Sequence, residues 1–187
     1  MLDPIFLIKT VGLIGVIAIV FAESGLFFGF FLPGDSLLFT AGIFASQGFL
    51  NLEILLIGCV VAAILGDSVG YWSGKKYGRK LFVFVSGFFF KKQRLYDAEN
   101  FYLKHGKITI VIARFVPIIR TFAPIVAGIG NMNFKTFISY NVFGGLVWAS
   151  GMILGGYFLG KIIPNPDRYI LPIAGIIILI SVLPVLF

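Results

Sequence analysis

One cysteine and one histidine occur in 187 residues. A lone Cys59 in an apolar run excludes a disulfide framework and a cysteine-based metal site, and reads as a packing residue. His105 is the only imidazole and adjoins Gly106 in a basic stretch, where it reads as solvated surface ahead of a proton relay. No metal site of the usual zinc kind can be assembled from that inventory. Glycine-rich phosphate loops and nucleophile elbows are also missing, so neither a cofactor nor an enzyme activity is expected. Charge is scarce as well. Only 12% of residues are Asp, Glu, Lys or Arg, against 59% hydrophobic, with a mean hydropathy of +1.02. A soluble domain of this size needs more polar surface than that. The N-terminus has no basic segment followed by a cleavage motif, so residues 5–21 read as a retained helix rather than a signal peptide.

What is present is an all-α polytopic membrane protein, expected as a single domain over residues 1–187 with four to six membrane segments. The net charge is +7, and nine of the fifteen basic residues lie between Lys75 and Lys107. That placement is too local and too close to lipid for a nucleic-acid surface; it marks a cytoplasmic face. Residues 5–22 form an apolar helix in which Lys9 can snorkel. Residues 24–47 are cut in the middle by Pro33-Gly34-Asp35, and each half is about half a bilayer crossing, which predicts a re-entrant hairpin. Residues 52–73 can span. Residues 74–107 form the basic loop, with Leu95, Ala98 and Tyr102 at the spacing of a helix lying on the membrane surface. Residues 108–130 form a second re-entrant hairpin, broken at Pro117 and Pro124. Residues 134–160 form a long helix, and residues 168–187 a last span. Placing the basic loop inside puts both termini in the cytoplasm and makes the two hairpins enter from opposite sides.

That order predicts an inverted repeat. Each half reads as a broken hairpin, an Ala-Gly pair (Ala41-Gly42, Ala127-Gly128), then a glycine-laddered helix: Gly66, Gly70, Gly74 and Gly78, and later Gly151, Gly155, Gly156 and Gly160. Inverted repeats with discontinuous segments are the mark of transporters, with the substrate held where the breaks meet. The ladders suit close packing within one subunit, the preferred reading, or the seam of a homodimer.

Ionisable residues fall at the two breaks: Glu23 and Asp35 in the first, Arg114 and Arg120 in the second. Each guanidinium costs about 2.5–3.5 kcal/mol at a helix centre on insertion scales. Permanent cations beside broken backbone in a bilayer imply an anion to be held there. Arginine stays protonated, so Glu23 and Asp35 are the groups that can take up protons when an anion occupies the arginines. The bland readings are a simple turn at Pro33-Gly34-Asp35, snorkelling for Arg114 and an interfacial Glu23; Arg120 lies too deep for them. Asp67, in Gly66-Asp67-Ser68, pairs with Lys75 or Lys76 or lines a pathway. Asn131 and Asn141 can satisfy backbone exposed by the break.

Three stretches carry a resemblance: E23-S-G-L-F-F-G-F-F-L-P-G-D-S-L-L-F-T-A-G, G66-D-S-V-G-Y-W-S-G-K-K-Y-G and H105-G-K-I-T-I-V-I-A-R-F-V-P-I-I-R-T-F-A-P-I-V-A-G. Together they resemble the DedA family, also called the SNARE-associated or VTT-domain family, over about residues 10–160. The resemblance implies two opposed re-entrant hairpins, the bacterial inner (cytoplasmic) membrane, and lipid translocation. It maps the family's acidic pair onto Glu23 and Asp35 and its arginine pair onto Arg114 and Arg120. Bacterial relatives are implicated in returning undecaprenyl phosphate to the inner leaflet, others in moving phosphatidylethanolamine, and eukaryotic relatives in scrambling phospholipids.

The expected function is therefore a proton-coupled flippase moving a phosphate-headed lipid, undecaprenyl phosphate first, from outer to inner leaflet. Arg114 and Arg120 would bind the phosphate bidentately, with hydroxyls from Ser36 and Thr121, while Glu23 and Asp35 carry protons. The lipid and protons are the expected partners. The alternatives are a phosphatidylethanolamine flippase or scramblase and, from another class, a proton-coupled transporter of a small ion or drug.

Overall fold

The structure is a computed structural model that describes residues 4–26, 32–78 and 108–162. The predicted surface helix of the basic loop, His105 and the predicted span at 168–187 lie outside the described residues. Helix α1 runs Pro4–Gly25 and bends at Gly12 (φ 61°, ψ −159°), a backbone setting that glycine adopts at little cost. The expected straight helix over 5–22 is thus two pieces, because Gly12 lets the chain turn within the apolar run.

Helix α2, Gly34–Ser46, has 13 residues and is buried on nearly every side. At 1.5 Å per residue it is about 20 Å long, too short for a hydrocarbon core of about 30 Å. It ends in a Schellman motif: Phe49 N–H donates to Phe44 C=O (3.0 Å), Gly48 N–H donates to Ala45 C=O (3.1 Å), and Gly48 takes φ 83°. The Phe44 and Phe49 rings meet edge to face at 5.7 Å, which adds the apolar clasp of that motif. Asn51 then caps helix α3, Leu52–Ser73, by accepting a bond from Ile54 N–H at 3.0 Å. A π-helical turn, Gly74–Gly78, extends α3 to a continuous helix of 27 residues, long and apolar enough to cross a membrane.

One helical turn, α4 (Thr109–Ala113), leads through Arg114 to α5, Pro117–Ile129, again 13 residues. Proline sits at the first turn of α5, where its missing N–H costs nothing. Pro124, expected to break the segment, lies inside α5 without ending it. It frees only the Arg120 carbonyl, and its ring side packs near Gly70. The end of α5 is a second Schellman motif, with Met132 N–H to Ala127 C=O (3.0 Å), Asn131 N–H to Gly128 C=O (3.2 Å), and Asn131 at φ 50°. Asn131 therefore serves the C-terminal turn of α5. The last helix described, α6, is Phe134–Ile162, 29 residues, the other one long enough to cross.

The short helices cross the long ones of the opposite half. At the α2–α6 crossing, Cβ atoms added at Gly42 and Gly156 would lie 2.1 Å from Ile153 O and 2.0 Å from Phe39 O. At the α3–α5 crossing, Cβ atoms at Gly74 and Gly128 would lie 2.1 Å from Ile125 O and 2.0 Å from Tyr71 O. Each crossing is thus a pair of glycines fitted against the facing carbonyls, allowing backbone contact that no larger residue permits. Gly66 meets α1 at Phe21 and Ser24, and Gly78 meets Ile129. The α3 ladder is therefore used within the chain.

The outer surface is apolar. On α3, Ile54, Ile57, Val61, Leu65, Val69 and Trp72 are exposed at helical spacing, while Leu55, Cys59, Ala62, Ala63, Gly66, Asp67, Gly70 and Tyr71 are buried on the other face. A long helix with apolar residues outward and its mid-helix Asp67 inward is arranged for lipid, not for water. Cys59 is fully buried in the main apolar cluster, as a packing residue.

Candidate functional site

Nine polar or charged side chains are buried among the described residues, and five of them belong to one constellation: Glu23, Asp67, Arg114, Arg120 and Asn141. Glu23 comes from the end of α1 and Asp35 from the first turn of α2. Arg120 comes from α5. Arg120 Nη2 donates to Glu23 Oε1, and Arg120 Nη1 donates to Asp35 Oδ1 at 2.7 Å. One guanidinium of the second half is therefore held in a fork by two carboxylates of the first. Gly34 makes the fork fit: a Cβ there would lie 1.4 Å from Glu23 Oε2.

Arg114, in the link between α4 and α5, forms a second clamp. Its Nη2 donates to Asp67 Oδ2 at 2.5 Å and also to Asn141 Oδ1. Asn141 is fixed in turn, since its Nδ2 donates to the Ile64 carbonyl of α3 at 3.0 Å. Asp67 thus pairs with Arg114 rather than with Lys75 or Lys76, because α3 turns it inward while the lysines lie beyond the helix end. Asn141 does bond a backbone carbonyl, but that of α3 rather than of the break.

Trp148 joins the two clamps. Its indole Nε1 donates to Asp35 Oδ1 at 2.8 Å, the same oxygen that accepts from Arg120. The Arg120 guanidinium carbon lies 4.5 Å from the Trp148 ring centre, and that of Arg114 lies 6.0 Å from it, both within cation–π reach. Asn141, Gly144, Gly145 and Trp148 share one face of α6 at i, i+3, i+4 and i+7. The two glycines let the Arg114 side chain lie against the helix: a Cβ at Gly144 would be 2.9 Å from Arg114 Cδ, and one at Gly145 would be 3.6 Å from Nη1.

The predicted site residues divide accordingly. Glu23, Asp35 and Arg120 meet directly, and Arg114 neighbours them through Trp148. Ser36 spends its hydroxyl on the Pro33 carbonyl at 3.1 Å, closing the first turn of α2. Thr121 is buried beside Arg120 in α5. Trp148 was not among the expected residues; the legible signal was the Asn-Gly-Gly-Trp face on an otherwise apolar helix.

Three carboxylates and two guanidiniums share this water-poor volume. Mutual pairing offsets part of the cost of taking each from water. The donors are not all used, however. Arg114 Nε and Nη1 and Arg120 Nε are buried without an acceptor, as is Asp67 Oδ1 without a donor. Buried guanidinium N–H groups without acceptors are costly, and an anion brought among them would find donors already in place.

The VTT domain model matches residues 32–158, a range that contains every member of the constellation except Glu23. Protein DedA of Escherichia coli (strain K12) is 46% identical over 168 residues, 89% of this chain and 76% of the relative. An uncharacterized membrane protein of Mycobacterium leprae is 38% identical over 194 residues, 99% of this chain and 85% of the relative. Inner membrane protein YqjA of E. coli (strain K12) is 34% identical over 143 residues, 76% of this chain and 65% of the relative. No solved structure matches the chain.

Proposed function

The chain belongs to the DedA family of membrane proteins, whose core is the VTT domain, and from that premise we propose that it is a flippase for a phosphate-headed lipid, undecaprenyl phosphate first, in the bacterial inner membrane. The observation that carries the reading is the set of buried guanidinium donors without acceptors at Arg114 Nε, Arg114 Nη1 and Arg120 Nε. A bare phosphate monoester presents three oxygens with the spread and charge that two guanidinium forks need.

In this reading Arg120 rests in the fork of Glu23 and Asp35 until a headgroup arrives. The phosphate takes over the guanidinium, and a carboxylate set free in an apolar surround takes up a proton. Proton entry on one side and release on the other would reset the cycle. Arg114 stays tethered by Asp67 and Asn141, so its remaining donors keep their aim. The isoprenoid tail stays in the bilayer. Short buried α2 and α5, each crossing the long helix of the other half, support the reading of two opposed re-entrant hairpins in an inverted repeat, the architecture in which a central site opens to alternate sides. The basic stretch from Lys75 to Lys107 supports a cytoplasmic side there, with both termini on it. No step of this cycle breaks or forms a covalent bond; the proposal is of a carrier.

The test is transbilayer movement of a labelled polyprenyl monophosphate in reconstituted vesicles. Arg120→Ala and Arg120→Lys should both lose transport, the second because an ammonium cannot replace a planar fork. Wild-type rates in Arg120→Ala would end the phosphate-clamp reading. Unlabelled undecaprenyl phosphate should compete with the probe; competition by phosphatidylethanolamine instead would move the proposal to that lipid.

A further inference from the structure

Trp148 occupies the only place among the described residues where one side chain touches both clamps. It is 2% exposed, while Phe143 and Phe158 of the same helix are 60% and 58% exposed. Packing alone does not require an indole here. Phenylalanine or leucine would fill apolar space without bringing an N–H that must find a buried partner. That N–H finds Asp35 Oδ1 at 2.8 Å, and the ring face lies under Arg120 at 4.5 Å.

The two contacts act on opposite members of one ion pair. When Arg120 is bound to Asp35, the indole N–H is a second donor to the same oxygen. When Arg120 turns to an anionic headgroup, Asp35 keeps the indole as a partner, so the carboxylate is not left in apolar surroundings without a donor. The ring face meanwhile lies within cation–π reach of the guanidinium and limits the directions in which it can swing. Gly144, one turn earlier on α6, leaves the room in which Arg114 lies against the same helix. A single rigid helix therefore carries the reference surface for both cations.

We propose that Trp148 is the positioning residue of the exchange, keeping Asp35 in place and Arg120 aimed while the guanidinium passes from carboxylate to phosphate. This rests on the flippase reading above and adds a residue and a step to it. Its chemistry separates two contributions. Trp148→Phe keeps the aromatic face and removes the N–H; Trp148→Leu removes both.

Transport of the labelled polyprenyl monophosphate is measured for both variants beside Arg120→Ala. In Trp148→Phe the KM should stay near wild type while turnover falls by about ten- to a hundredfold, the loss expected for a hydrogen bond to a charged group. In Trp148→Leu the KM should rise as well. A residue that only fills space would leave Trp148→Phe at wild-type turnover, and that result overturns the inference. If Arg120→Ala is inactive while Trp148→Phe is fully active, the flippase reading survives and this inference falls. If Arg120→Ala is active, the clamp itself is wrong. A second measurement leaves Trp148 itself unchanged. Trp72→Phe leaves Trp148 as the sole tryptophan of the chain, since the sequence has two. Adding a short-chain alkyl phosphate should then shift Trp148 emission, whereas the alcohol of the same chain length should not. Identical responses to both, or none to either, contradict the proposal.

Discussion

At the scale of single residues, the site depends on side chains that are absent as much as on those present. Gly34 lies so close to Glu23 that an added methyl would sit 1.4 Å from Oε2. Gly34→Ala should therefore push Glu23 out of the fork and lower transport by at least about tenfold, the effect of losing one charge-assisted bond; activity at the wild-type level in vesicles would show that the fork is not needed. Asp67 offers a stability test. Removing one partner of a buried ion pair costs about 3–5 kcal/mol, so Asp67→Ala should melt far below wild type in detergent. Glu53→Ala, at an exposed position in the first turn of α3, should change stability by no more than about 1 kcal/mol. Glu23, Asp35, Arg114 and Arg120 stood out in the sequence because charge in an apolar run is expensive wherever it falls. The bond between Asp67 and Arg114 was not legible. The two are 47 positions apart, and a nearby lysine pair offered a local explanation that the inward turn of α3 removes. Trp148 was hidden for a different reason, since an aromatic in an apolar helix looks like packing until its N–H partner is seen.

At the scale of elements, glycine placement decides how the helices meet. Gly42, Gly74, Gly128 and Gly156 lie where a Cβ would come within about 2 Å of a facing carbonyl. Valine at Gly128 or Gly156 should separate the helices, lower the melting temperature and abolish transport. Gly151 has nothing within 4 Å of its added Cβ. Gly151→Ala should therefore be neutral or stabilise by up to about 1 kcal/mol, since alanine favours a helix interior over glycine. Thermal unfolding of both sets in one detergent checks the contrast; equal losses would mean that the crossings do not hold the fold. The glycine ladders and the short broken segments were readable as spacing. The bend at Gly12 and the survival of α5 through Pro124 were not. Glycine inside an apolar helix bends it only when tertiary packing asks for the bend, and a proline about two turns into a 13-residue helix costs little if the freed carbonyl and the ring both find room, here beside Gly70. The two Schellman ends and their Asn51 and Asn133 starts give the halves matching junctions, although their sequences differ (Gly48 in one, Asn131 in the other).

At the scale of the whole molecule, the apolar exterior and the charged centre are two sides of one design. Lipid accepts the outward stripe of α3, while the interior holds cations that lipid rejects. Composition made the membrane class plain, and the run of basic residues suggested a sidedness; which halves exchange partners required the fold, because α2 and α5 each leave their own neighbour to pack on the opposite long helix. The central claim is that a phosphate headgroup and two carboxylates compete for Arg120. Titration calorimetry of the purified protein with a short-chain alkyl phosphate, run in buffers of different ionisation enthalpy, counts the protons that move on binding. Net proton uptake in the wild type, lost in the Glu23→Gln/Asp35→Asn double variant, is the expected result; binding with no proton exchange, or binding that persists unchanged in Arg120→Ala, would contradict it.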